Sequence, residues 1–140
     1  MAQNSSLPVH LSLSNSLLAL TLDTQNLTLT VLDKRSNRLW RQQDVANELI
    51  LTDACNKDQA IFMTLTSIAT DLVLKANLKL AENSPEFTIT IAGNGPQTQK
   101  IIFLQPFVTG PGTYLVVPMN EGISYPVEDQ SIQPMHLAAY

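Results

Sequence analysis

A chain of 140 residues fits one domain with room for a real core, and is too short for a catalytic barrel with a second domain beside it. Its net charge of −4, with only 8 Lys and Arg spread along the sequence, offers no basic stripe to neutralise phosphates, so nucleic acid is not expected as a partner. The single cysteine, Cys55, cannot close an intramolecular disulfide, and packing alone must hold the core.

The first residues, MAQNSSLPVHLSL, have no basic stretch followed by an apolar one and do not read as a signal peptide. No apolar run approaches the roughly 20 residues that cross a bilayer, so no membrane association is expected. The chain reads as soluble, either cytoplasmic or secreted after loss of a signal peptide. Two N-glycosylation sequons, at Asn4 and Asn26, matter only in a eukaryotic secretory route, and chance explains them better.

Period-2 alternation then dominates. Val9, Leu11 and Leu13 alternate with polar residues, as do Leu27, Leu29 and Val31, and both runs read as half-buried strands. Leu17 to Leu22, Ile61 to Leu65, Ile101 to Leu104 and Tyr114 to Val117 have less polar alternate faces, the mark of central or covered strands. Leu72, Leu74, Ala76, Leu78 and Leu80 form the longest alternating set, and Phe87, Ile89 and Ile91 repeat the design, giving about nine strands in all. Residues 58–81, rich in Leu and Ala, also suit a helix, although strand is the preferred reading there.

Turn chemistry falls between these runs, at 23–26, at 33–37 and at Gly93-Asn94-Gly95-Pro96, each a hairpin candidate. Frequent turns with no alternating helical pattern predict an all-β fold, an antiparallel β-sandwich, spanning residues 1–140 as a single domain. Five of the eight prolines lie between Pro106 and Pro134, so the C-terminal segment from about residue 105 is expected to be irregular.

Catalytic chemistry is hard to find. Glu121, Glu128 and Asp129 are the acids of that irregular segment, but they read as a solvated loop rather than the paired carboxyls of a glycosidase. His10, Cys55 and His136 stand far apart, so no metal site is expected, and no cofactor is expected either. No Gly-x-Ser-x-Gly elbow is present, and Gly93-Asn94-Gly95 lacks the Lys and helix of a phosphate loop. Trp40, flanked by Arg38 and Arg41, reads either as a sugar-stacking ring or, preferably, as a core anchor at a strand end. Phe103, Phe107, Tyr114 and Tyr125 read equally as core or as interdomain contacts.

Two segments carry a resemblance. LTLTVLDKRSNRLWRQ, residues 27–42, resembles the opening of the N-terminal β-sandwich of many bacterial glycoside hydrolases: a strand, an Asp-Lys-Arg turn and a Trp. IIFLQPFVTGPGTYLVVPMNEGISYPVEDQSI, residues 101–132, is similar to a later part of that module, in which a Pro-Phe bend and a strand precede a Pro-Met-Asn-Glu-Gly loop. Together they resemble the α-N-acetylgalactosaminidase group, over roughly residues 17–140. The resemblance implies part of a galactose-mutarotase-like supersandwich, cut short before the catalytic barrel, and carries over no catalytic residue.

On that basis the expected function is a non-catalytic accessory domain that packs on and shapes the catalytic barrel of a glycoside hydrolase, with an independent carbohydrate-binding or adhesion module as the alternative. Trp40, Asn120, Glu121 and Tyr125 are the candidate carbohydrate or interdomain contacts. Pro118 is expected to end strand pairing and Gly122 to allow a tight turn that pushes Asn120 and Glu121 outward. An apolar face or unpaired edge between Phe103 and Val117 is expected to make the isolated chain a homo-oligomer.

Overall fold

The computed structural model of the chain describes residues 7–46, 48–67, 69–95, 102–117 and 122–129. It divides into two compact units, residues 1–107 and 108–140.

The larger unit begins with a meander: β1 (His10–Ser14), β2 (Leu18–Asp23), β3 (Thr28–Asp33) and β4 (Arg38–Gln42). Each strand pairs antiparallel with the next, and the two-residue β9 (Phe107–Val108) completes the sheet order β1-β2-β3-β4-β9. A second meander, β5 (Leu49–Lys57), β6 (Ala60–Ser67), β7 (Val73–Leu80) and β8 (Phe87–Gly93), forms a four-stranded antiparallel sheet in chain order. The first sheet packs on the second, with β1 against β5 and β6. The fold is thus all-β, two antiparallel sheets in a sandwich.

Alternation decides which face is buried. On β2 and β3, Leu20, Leu22 and Leu29 are fully buried while Thr21, Thr28 and Thr30 lie on the other face. The second sheet answers with Ile61, Leu65, Leu78 and Leu80, also fully buried. Each such side chain contributes about 1.5–3 kcal/mol relative to exposure, and all seven belong to one buried core drawn from both sheets.

Short turns fix the register, and those that follow β2, β3, β5 and β6 use left-handed residues. The β2–β3 and β3–β4 connections are built alike: an Asp side chain at the end of the first strand caps the loop, and a residue at positive φ closes it. Asp23 Oδ1 accepts the amides of Gln25 and Asn26 before Leu27 at φ 54°, and Asp33 Oδ1 accepts that of Arg35 before Asn37 at φ 55°. Between β5 and β6 the loop is only Asp58-Gln59, at φ 49° and 58°, the double left-handed geometry of a type I′ hairpin.

Two side chains tie distant segments together. Asn15 Oδ1 accepts the amides of Leu17 (2.8 Å) and Leu18 (2.6 Å), while its Nδ2 donates to the carbonyls of Ala81 (2.7 Å) and Ser84 (3.0 Å) beyond β7. Gln42, nearly buried, accepts the amide of Leu29 at 2.7 Å where the β3–β4 ladder has ended.

Residues 58–81, the segment that also suited a helix, form the β5–β6 turn, β6 and β7. One other sequence reading is corrected. The far side of the hairpin expected across Gly93-Asn94-Gly95-Pro96, from Pro96 to Ile101, lies outside the described residues, whereas residues 102–104 are described and are not in a strand. Apolar content there serves packing instead: Phe103 and Leu104 lie partly buried against the core without joining a ladder. Strands β5 and β9 lie outside the runs read as strands; on β5 a bulge between Leu51 and Asp53 shifts the alternation by one residue.

Among the described residues the smaller unit contains one antiparallel hairpin, β10 (Tyr114–Val117) with β11 (Ile123–Pro126). Gly122 sits at φ 90° immediately before β11, a conformation open to glycine and strained for other residues. Val127 N donates to Thr113 O at 2.9 Å and extends the pairing by one bond.

Candidate functional site

Of the four candidate contact residues, Asn120 and Glu121 lie outside the described residues. Trp40 sits on β4 opposite Val31, hence on the core side of its sheet, half-buried against the core. The Arg38 guanidinium lies over its ring, 4.5 Å from the centroid, a cation–π contact between residues two apart on one strand face. Tyr125 is half-buried on β11 opposite Leu115, in the smaller unit.

The turn before Trp40 is held electrostatically. Asp33 takes Arg35 in a two-pronged contact, Nε at 3.0 Å and Nη2 at 2.8 Å. The Arg35 side chain, by donating these bonds, holds the Asp33 carboxyl down to about 2. The pair rigidifies an exposed turn and offers no unpaired group for chemistry.

A surface not singled out in the sequence has the shape of a site. On the outer face of the second sheet the registers align Asp53, Thr64 and Lys75 in one row and Phe62, Asn77 and Thr90 in the next. Right-handed twist curves a four-stranded sheet, and here a shallow cleft of about 490 Å³ opens over these residues. Lys75 Nζ donates to Thr64 Oγ1 at 2.7 Å. The Asp53 carboxylate has no hydrogen-bond or ion-pair partner among the described residues, and Asn77 Oδ1 is a buried acceptor with none. Phe62, 42% exposed, presents an aromatic ring.

Alternation alone placed Lys75 and Asn77 on a polar face, but not beside Asp53. The bulge does that: without the extra residue, Asp53 would face the core side of β5. A second depression, about 420 Å³, lies between the 24–27 turn and the segment from Asp44 to Leu51. Among the described residues no group of three or more His, Cys, Asp or Glu side chains is gathered as metal ligands, and no helix is long and apolar enough to cross a membrane.

Comparison with protein-family models, with curated proteins and with solved structures returns no match in any of the three. What stands is the class: an all-β protein of antiparallel sheets packed as a sandwich.

Proposed function

We propose that the chain is a non-catalytic accessory module, part of a galactose-mutarotase-like supersandwich, that packs on the catalytic barrel of a glycoside hydrolase of the α-N-acetylgalactosaminidase group. The observation that carries this reading is the β10–β11 hairpin. Tyr114, Leu115 and Val116 are 61%, 52% and 65% exposed, three consecutive apolar residues whose side chains alternate between the two faces of a two-stranded ribbon. A lone hairpin is marginal in water, and apolar exposure of this kind favours cover by another surface. The similarity of residues 27–42 and 101–132 to the accessory sandwich of those enzymes supplies the partner's class.

The test is direct binding between the chain and the catalytic barrel of such a hydrolase from the same genome, measured by calorimetry. The expected result is a complex that Leu115→Asp weakens by at least about tenfold, as loss of an apolar anchor does in a desolvated interface. No binding, or binding indifferent to both Leu115→Asp and Val116→Asp, would overturn the reading. The chain alone should not cleave aryl α-N-acetylgalactosaminides; turnover that vanishes in Glu121→Gln would show a catalytic loop instead.

A further inference from the structure

The cleft on the outer face of β5–β8 carries chemistry that docking through the hairpin does not use. Asp53 supplies a carboxylate, an acceptor only, and it is unpaired among the described residues. Lys75 spends one of its three donors on Thr64 and keeps two. Asn77 adds an amide whose Oδ1 is buried without a partner, Thr64 and Thr90 add hydroxyls, and Phe62 adds an exposed ring face.

This mixture selects a ligand class by elimination. A simple anion meets the Asp53 carboxylate and a simple cation meets the Lys75 ammonium, so neither is favoured in a cleft whose two charges cancel. An apolar molecule would strip water from the carboxylate, ammonium and amide without replacing its hydrogen bonds. A sugar ring suits every group at once: its hydroxyls donate to the Asp53 carboxylate and to Asn77 Oδ1 and accept from Lys75, while its C–H face lies on Phe62. The volume of about 490 Å³ is within the range of roughly 300–1,000 Å³ usual for small-molecule sites.

We propose that the outer face of the β5–β8 sheet is a binding subsite for a single neutral pyranose unit of a glycan, stacked on Phe62 and hydrogen-bonded by Asp53, Lys75 and Asn77. Such a site places the chain on a glycan whether or not the hairpin docks on a barrel. Because the cleft is open and shallow, affinity for one sugar should be weak, with a dissociation constant on the order of 1–10 mM.

The experiment is an amide-resolved NMR titration of the full chain with galactose, N-acetylgalactosamine and glucose in turn, and with alanine as a zwitterionic probe. Saturable shifts centred on residues 53, 62–64, 75–77 and 90 are expected with at least one sugar and not with alanine. Phe62→Ala, at an exposed position and therefore compatible with folding, should weaken that sugar by about tenfold, the scale of one aromatic contact. Cys55, exposed and opposite Phe62 in the β5–β6 register, gives a second readout: the bound sugar should slow its alkylation. The proposal is overturned if no sugar gives saturable shifts up to about 100 mM, tenfold beyond the weakest affinity expected. It is equally overturned if shifts appear with alanine alone, or map to residues 114–126 rather than the cleft.

Discussion

Replacing Asn15 tests how the two ends of the larger unit are held together. Its side chain makes four hydrogen bonds, accepting from Leu17 and Leu18 and donating to the carbonyls of Ala81 and Ser84, across 66 and 69 residues of sequence. A partly buried hydrogen bond contributes a net of about 1 kcal/mol, and water recovers some of the four, so Asn15→Ala should cost about 2–3 kcal/mol. For a chain of 140 residues that is a fall in Tm of about 7–10 °C. Asn15→Asp separates the two halves of the contact. It keeps the acceptor side, which caps the turn before β2, but sets a carboxylate oxygen against two carbonyl oxygens. The new carboxyl is therefore expected to have a raised pKa, since its charged form is disfavoured in the folded state. Its destabilisation should be full above that raised value and diminish as pH falls through it, because the protonated carboxyl regains one donor. Urea unfolding at pH 7 and pH 4 measures both effects. A loss below about 0.5 kcal/mol for Asn15→Ala, at the level of an ordinary surface change, would refute the reasoning. So would an Asn15→Asp penalty relative to the parent that is the same at both pH values.

Gln59→Gly should stabilise the chain by about 1 kcal/mol in the same assay, because Gln59 holds φ 58° in the β5–β6 turn and glycine adopts that conformation without penalty. Leu78→Ala, at a fully buried position between Ile61 and Ile89 in the sheet register, should cost about 2–5 kcal/mol, against less than about 1 kcal/mol for Leu39→Ala at a 44% exposed one. Asp33, depressed to about 2 against an ordinary 3.8, favours the folded state above pH 3.8, and that contribution is lost as pH falls through about 2. In Arg35→Met the Asp33 carboxyl should titrate higher than in the parent, though still below the ordinary value because the backbone amides of residues 35 and 36 remain, when followed by carbon NMR.

Much of the sandwich was legible because alternation is a direct consequence of strand geometry. Leu11, Leu13, Leu20, Leu22, Leu29, Leu74 and Leu78 are all buried, as their spacing requires. The Leu- and Ala-rich region that also suited a helix resolved as strands, since its Lys75, Asn77 and Lys79 all share one face, which a helix would have scattered. The failures have local causes. β5 hid behind its bulge, which makes Leu51 and Ala54 share the core side with two residues between them. Phe103 and Leu104 are apolar for packing rather than for pairing, a distinction that composition cannot carry. The cleft was illegible for a further reason: Asp53, Lys75 and Thr90 become neighbours only through three strand registers, none of which is encoded in any one segment.

The docking surface is the central claim, and hydrogen–deuterium exchange on the chain, alone and mixed with the catalytic barrel, tests it most directly. Amides in a partly solvated hairpin exchange readily, so cover by a partner should be visible as slowing. The account predicts that the barrel slows exchange at residues 114–117 and 123–126 while β1 to β8 keep the rates they have in the isolated chain. Protection falling on the β5–β8 sheet instead, or no change at the hairpin under conditions where the two proteins form a complex, would contradict it.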